Sequence, residues 1–407
     1  MAGKRKIIND PVFGFISVPN EFLFDLLQHP YVQRLNRIRQ LGLSFFVYPG
    51  AMHSRFLHSI GAMHLMQEAI SSLRLKGIDI SHNGGNAACA AILLHDIGHG
   101  PFSHVLENTL VSGISHEEIS LMMMEKINED MQGRLTDAIR VFRDEYPKHF
   151  LHQLVSSQLD VDRLDYLCRD SFFCGVNEGT VAEARILKML SVVDDRLVVE
   201  AKGIYSIEKF LVARRLMYWQ VYLHKTSVAA EQMLQKILAR AKFLAAQGKQ
   251  LFASPALHYF LYNNISASQF AESSEALQQY ALLDDTDILS AIKVWADDED
   301  KILSLLCKAF TNRRLFKVKM LDKPATEKEI NALRKTYMRQ LHITQEEAGS
   351  LFVYHSSVTN TYSEKDDSID ILFQDGTIRD IAEASDMLNL QVLTKEVEKH
   401  YLFYYKL

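Results

Sequence analysis

Ala87-Ala88-Cys89-Ala90-Ala91-Ile92-Leu93-Leu94-His95-Asp96-Ile97-Gly98-His99-Gly100-Pro101-Phe102-Ser103-His104 is the stretch that decides how this chain is read. Its first half is an apolar run after an Asn83-Gly84-Gly85 turn. That pattern predicts a buried helix from Asn86 to Ile97, stopped by Gly98 and Gly100. Its second half sets a histidine beside an aspartate and follows them closely with two more histidines. Imidazole and carboxylate groups fill a core poorly, because both lose hydration there. The same groups are well suited to holding a divalent metal and moving protons beside it.

Partners for such a site lie on both sides of this stretch. Arg55-Phe56-Leu57-His58 opens a helical pattern that runs to Leu73, Ser115-His116-Glu117 lies just downstream, and Asp160-Val161-Asp162-Arg163-Leu164-Asp165-Tyr166 follows later. Each reads as helix or helix end, so one face can present polar groups while the other is anchored in the core. His58, His95, Asp96 and Asp162 are the candidate metal ligands. Two imidazoles and two carboxylates suit Fe, Mn, Co, Ni or Zn, and Mg less naturally, because Mg prefers all-oxygen coordination. Each residue alone has a structural explanation as a core histidine or a solvated aspartate, but four such coincidences would be needed together.

The composition narrows the class. With 48% hydrophobic and 23% charged residues over 407 positions, the chain is an ordinary globular protein with room for two domains. A net charge of -5 without a sustained basic stripe argues against duplex nucleic acid as the main partner and leaves room for a basic pocket that takes a phosphorylated small molecule. Cys89, Cys168, Cys174 and Cys307 are widely spaced with no CxxC pair, so neither a disulfide framework nor a zinc ribbon is expected. No run approaches the roughly 20 apolar residues that span a bilayer, and no apolar segment follows the basic N-terminus. A cytoplasmic protein without a membrane partner is expected.

Helical periods dominate to about Leu341. They predict a helix pair over 22–41 broken at Pro30, helices over 117–128, 131–146 and 151–169, and one or two very long helices over 206–247. A hairpin is expected around Asp194-Asp195, a strongly capped helix after Leu282-Leu283-Asp284-Asp285, and strand-like segments at 368–373 and 400–405, with a turn at Gln374-Asp375-Gly376-Thr377. The expected fold is mainly α, with a catalytic helical domain over 1–245 and a C-terminal helical and small mixed α/β region over 246–407.

The ordered set Gln40-Leu41-Gly42, Tyr48-Pro49-Gly50-Ala51-Met52-His53-Ser54-Arg55-Phe56-Leu57-His58-Ser59, His95 to His104 and Asp160 to Tyr166 resembles the HD-domain phosphohydrolases, whose signature is H…HD…D. Within them it is most similar to the deoxynucleoside triphosphate triphosphohydrolases, the dGTPase-like family. The likeness is strong from about Lys6 to Lys225 and weaker beyond, where Asp375-Gly376-Thr377-Ile378-Arg379-Asp380 is similar to the family's C-terminal region. It implies an HD-domain helical bundle and cleavage of a dNTP to deoxynucleoside and inorganic triphosphate. It also implies a second Mg with the nucleotide and a homo-oligomer, dimer or tetramer.

The resemblance further implies roles for single residues. His104 matches the proton donor to the leaving oxygen, with Glu107 orienting it and His99 and His116 near the phosphates. The animal enzymes carry Asp at the position of Glu107 and Lys at that of Arg163. Arg55, Arg163, Arg214 and Lys225 match or stand near phosphate contacts, Gln40 and Asp170 match contacts to the sugar 3′-hydroxyl, and Tyr166 and Tyr222 match the aromatics that crowd the 2′ position. Leu41 joins Gln40 in the substrate contacts. Two other readings remain open: an HD phosphohydrolase acting on another phosphorylated substrate, and a nucleotide-sensing oligomeric protein.

Overall fold

A computed structural model describes residues 6–102, 105–106, 109–111, 113–359, 368–386 and 397–407. At its centre lie two helices, α1 (Arg55–Leu75) and α2 (His82–Leu94), packed against each other. α2 is apolar nearly all round from Ala87 to Leu94 and is buried there, whereas α1 buries most of its residues but leaves Glu68, Ser71 and Arg74 exposed near its C-terminal end. Asn83-Gly84-Gly85 is not a turn before α2 but its first turn. Ser81 caps the helix by accepting from Gly84 N, and this cap sets the start four residues earlier than the apolar run suggests.

Around this pair pack α3 (His116–Asp130), opened by a Ser115/Glu118 capping box, and α4 (Val161–Cys174), opened by Asp160 and closed by Gly175 at φ 69°. The expected single helix over 151–169 is two, His149–Val155 and α4. Asp160 caps the second, and a cap requires the chain to leave the helical conformation. The expected helix over 131–146 shortens to Thr136–Phe142.

The long helical stretch beyond residue 203 divides into α5 (Ile204–Met217) and α6 (Lys225–Ala246), joined by a wide π turn over Tyr218–Tyr222. Such turns recur at functional sites because they redirect side chains that a regular helix would bury. Here Tyr218 and Tyr222 both line the cavity that reaches Asp96 and Asp162.

The sheets are small. β1 (Lys6–Asp10) and β2 (Gly14–Val18) form an N-terminal hairpin that the helical reading did not anticipate. β3 (Leu190–Val193) and β4 (Arg196–Glu200) pair around Asp194-Asp195 as expected, with both aspartates at positive φ, 47° and 63°, as a primed hairpin turn requires. Two later strands, β7 (Asp370–Leu372) and β8 (Ile378–Asp380), extend that sheet through a parallel β4–β7 pairing, so the end of the chain completes a sheet begun near its middle. A third sheet has the order β5-β9-β6, from β5 (Lys317–Leu321), β6 (Phe352–Thr359) and β9 (Val397–Tyr404). β5 interrupts the helical character expected up to Leu341.

One buried cation fixes the turn that follows α2. Arg34, 1% exposed, donates to the carbonyls of Ile97 (2.9 Å), His99 (2.8 Å), Tyr280 (3.2 Å), Ala281 (3.2 Å) and Leu283 (3.4 Å). Tyr280 and Ala281 lie on the helix Ser274–Leu282, and the Tyr280 hydroxyl donates to Gly98 O at 2.9 Å. Gly98 is required by close approach: a Cβ there would lie 2.1 Å from His116 O and 2.3 Å from Ser120 N. Among the described residues, no helix is long and apolar enough to cross a membrane.

Candidate metal centre and active-site cavity

Four carboxylates and imidazoles from three helices converge at the end of α2. His58 lies in the first turn of α1, fully buried, and its Nδ1 hydrogen-bonds Asp165 Oδ2 at 2.7 Å. Asp165 is held by Arg169, whose other nitrogen donates to Asp10 of β1 at 2.7 Å. His95 uses its Nδ1 on Ile92 O at 2.6 Å. Both rings therefore turn Nε2 inward, and their tautomers are set by the partner on the far side.

The inward atoms are closely spaced. His58 Nε2 and His95 Nε2 are 3.4 Å apart, and Asp162 Oδ1 lies 3.1 Å from the first and 3.3 Å from the second. Asp96 Oδ1 is 3.4 Å from His95 Nε2, while Asp96 Oδ2 accepts from Arg55 at 2.6 Å. Ligand bonds of about 2.0–2.2 Å put neighbouring ligands roughly 3 Å apart, so His58, His95 and Asp162 fit a single divalent ion with Asp96 beside them.

The electrostatics agree with that fit. Burial works against a charged His58, but hydrogen bonds and charge from Asp162 and Asp165 outweigh it and push the ring up to about 10. Burial likewise disfavours ionised Asp162, yet His95 and His58 hold it well below the usual carboxylate range. Two carboxylates thus demand a cation, and without a metal a proton on His58 supplies it. A divalent ion held by His58, His95 and Asp162 would take the place of that proton, so its occupancy should weaken in acid.

A cavity of about 480 Å³ opens from this cluster. Asp96, Asp162, Arg55, His99 and His116 line it, together with Gln40, Leu41, Tyr166, Asp170 and Tyr222. Asp170 accepts from the Tyr222 hydroxyl at 2.9 Å and hydrogen-bonds His53 Nε2 at 2.8 Å. The Tyr166 and Tyr222 rings meet edge to face at 6.0 Å. Gln40 Oε1 is buried with no hydrogen-bond partner among the described residues, an acceptor aimed at a ligand's donor. His99 stacks on His116 at 3.8 Å, and burial, followed by the charge of Arg55, pushes His99 down to about 3. His99 is therefore an uncharged ring at neutral pH.

Some expected site residues sit elsewhere. Arg163 is tied to Asp160, Arg214 donates to Gln158 Oε1 at 2.9 Å, and neither lines the cavity. Lys225 lines a separate depression with Arg313, Arg314 and Lys317. His104 and Glu107 lie outside the described residues. Sequence reasoning did not assign Asp165, Arg169 or His53 as supports, although Asp162, Asp165 and Arg169 fall at i, i+3 and i+7 of one helix face. It also missed Tyr218, Leu223 and Glu231 in the cavity wall.

Comparison with known proteins places this geometry. The HD domain matches residues 55–170, from Arg55 at the start of α1 to Asp170 on α4, and the HD associated region matches 181–251. The chain belongs to the HD-domain, dGTPase-like family. It is 35% identical over 321 residues to the uncharacterized protein YwfO of Bacillus subtilis, covering 77% of this chain and 71% of that one. It is 32% identical over 256 residues to the deoxynucleoside triphosphate triphosphohydrolase SAMHD1 homolog of Dictyostelium discoideum, covering 58% of this chain and 49% of that one. A crystal structure of a phosphohydrolase from Bacteroides thetaiotaomicron superposes with a TM-score of 0.97 at 59% identity, covering 99% and 100% of the two chains. As a member of this family, the chain is an HD-domain phosphohydrolase with a divalent-metal site.

Proposed function

We propose that the chain hydrolyses deoxynucleoside triphosphates to deoxynucleoside and inorganic triphosphate. The observation that carries this reading is one cavity joining the His58/His95/Asp96/Asp162 cluster to Gln40, Asp170, Tyr166 and Tyr222. A divalent ion, when bound, supplies Lewis acidity toward water and a phosphoryl oxygen. Arg55 faces the same space and offers positive charge to the phosphates. Asp170, oriented by His53 and Tyr222, accepts a hydrogen bond from the 3′-hydroxyl, and Gln40, whose buried Oε1 has no partner among the described residues, lines the same cavity. His104, backed by Glu107, is the proposed proton donor to the departing 5′ oxygen, worth about 10²–10⁴ in rate.

The direct test incubates the protein with Mn and each of the four dNTPs, with and without added GTP, and separates the products by chromatography. Equimolar nucleoside and inorganic triphosphate is the expected result. Monophosphate with pyrophosphate, or diphosphate with phosphate, would assign the site to another phosphohydrolase reaction.

Discrimination against ribonucleotides depends on Tyr222. Its hydroxyl is fixed on Asp170 and its ring is braced by Tyr166 and by Tyr218 at 5.4 Å. A 2′-hydroxyl pushed against that wall goes without a partner, at about 1–3 kcal/mol, or roughly 5- to 150-fold in catalytic efficiency. Tyr222→Ala should narrow the dGTP-to-GTP ratio, chiefly by improving GTP. An equal fall with both substrates would make Tyr222 a packing residue only.

A further inference from the structure

Glu231 faces the cavity from the second turn of α6 and has no role in the chemistry described so far. Among the described residues its carboxyl makes neither an ion pair nor a hydrogen bond. Burial alone pushes it up to about 7. α6 packs there against the turn Ser44–Phe46, and Gly42, Leu43, Ser44 and Leu223 line the same cavity. Arg39 lines the cavity as well and is paired with Asp285 at 3.3 Å.

Glu231 is half-buried, and an acid partly stripped of water without a protein partner is disfavoured in its charged form. A ligand that brings N–H donors removes that deficit. With triphosphate at the metal cluster and sugar at Asp170, the part of a dNTP left for the remaining wall is the base. An ionised carboxylate offers two acceptor oxygens and no donor. On the Watson–Crick edges, guanine alone presents two adjacent donors, N1–H and N2–H. Adenine and cytosine present one donor beside an acceptor, and thymine one donor between two acceptors.

We infer that Glu231 is a specificity-determining residue that accepts both edge N–H groups of guanine and makes dGTP the preferred substrate. The inference rests on the dNTP reading above. Hydrogen bonds to a charged group contribute about 1.5–3 kcal/mol, which sets the expected loss at on the order of tenfold or more.

The test measures triphosphate release by the Mn-loaded full chain at pH 8.5, where Glu231 is ionised, from dGTP, dATP, dCTP and dTTP. Wild type should favour dGTP. Glu231→Leu should lower kcat/KM for dGTP by about tenfold or more and leave dTTP within about threefold. Glu231→Gln, which keeps the shape but replaces one acceptor with a donor, should lose less; it carries the test if the leucine variant does not fold. An unchanged base preference in both variants, an equal fall for all four bases, or a wild type indifferent to the base overturns the role of Glu231. A wild type that releases triphosphate from none of the four overturns the dNTP reading itself, and this inference with it.

Discussion

Asp162→Ala is expected to abolish tight metal binding and lower kcat/KM by about 10³-fold or more, the equivalent of several kcal/mol of Lewis-acid stabilisation. Asp162 Oδ1 is the atom that touches both inward imidazole nitrogens, at 3.1 and 3.3 Å. Asp96 cannot replace it, because its Oδ2 is engaged by Arg55 and lies 3.9 Å from His58 Nε2. Without Asp162 the cluster keeps two neutral rings and one carboxylate already paired with a guanidinium, a weak site for a divalent cation. The fold should survive, since Asp160, not Asp162, caps α4. Elemental analysis alongside circular dichroism checks both parts. A folded variant with one metal per chain and normal turnover would remove Asp162 from the centre.

The same arrangement explains what could be read in advance. His95 and Asp96 stood out because they end an apolar run, and a polar pair at the end of a buried helix is forced toward whatever lies beyond it. His58 and Asp162 were legible by residue type once a metal was suspected. The supports were harder. His58 is oriented by Asp165, Asp165 by Arg169, and Arg169 by Asp10, on a hairpin 155 residues upstream of Asp165 that a helical reading did not predict. Sequence spacing carries the helical part of that chain of contacts and nothing of the tertiary step to β1.

Charge was the least legible property. Arg163, Arg214 and Lys225 are cations beside site motifs, yet the first two are held by Asp160 and Gln158 and the third lines another depression. A cation's partner is decided by the turn of its helix and by nearby acceptors, which one-dimensional spacing does not record. Glu231 shows the converse. It is the single acid of α6 and reads as a solvated surface residue of a long amphipathic helix, yet it lines the cavity.

Arg34→Met should destabilise the chain by on the order of 3–5 kcal/mol, the cost of breaking a buried charged group away from its partners. Burial lowers the guanidinium to about 10, so it remains charged at neutral pH, and it meets that cost through five carbonyls from two distant segments. Methionine fills much of the volume but donates nothing, and the carbonyls of Ile97, His99, Tyr280, Ala281 and Leu283 would be left short of a donor together. Ile97 and His99 flank Gly98 in the turn that carries His99 beside Asp96, so the loss should reach the site as well as the core. Arg34→Lys should recover only part, because three donors on a point charge cannot span what a planar fork reaches. Denaturant midpoints for the three proteins, with metal content measured on the folded fraction, give the answer. A methionine variant within about 1 kcal/mol of wild type would mean that water or neighbouring donors already satisfy those carbonyls, and that the turn after α2 is held by Gly98 and Tyr280 without Arg34.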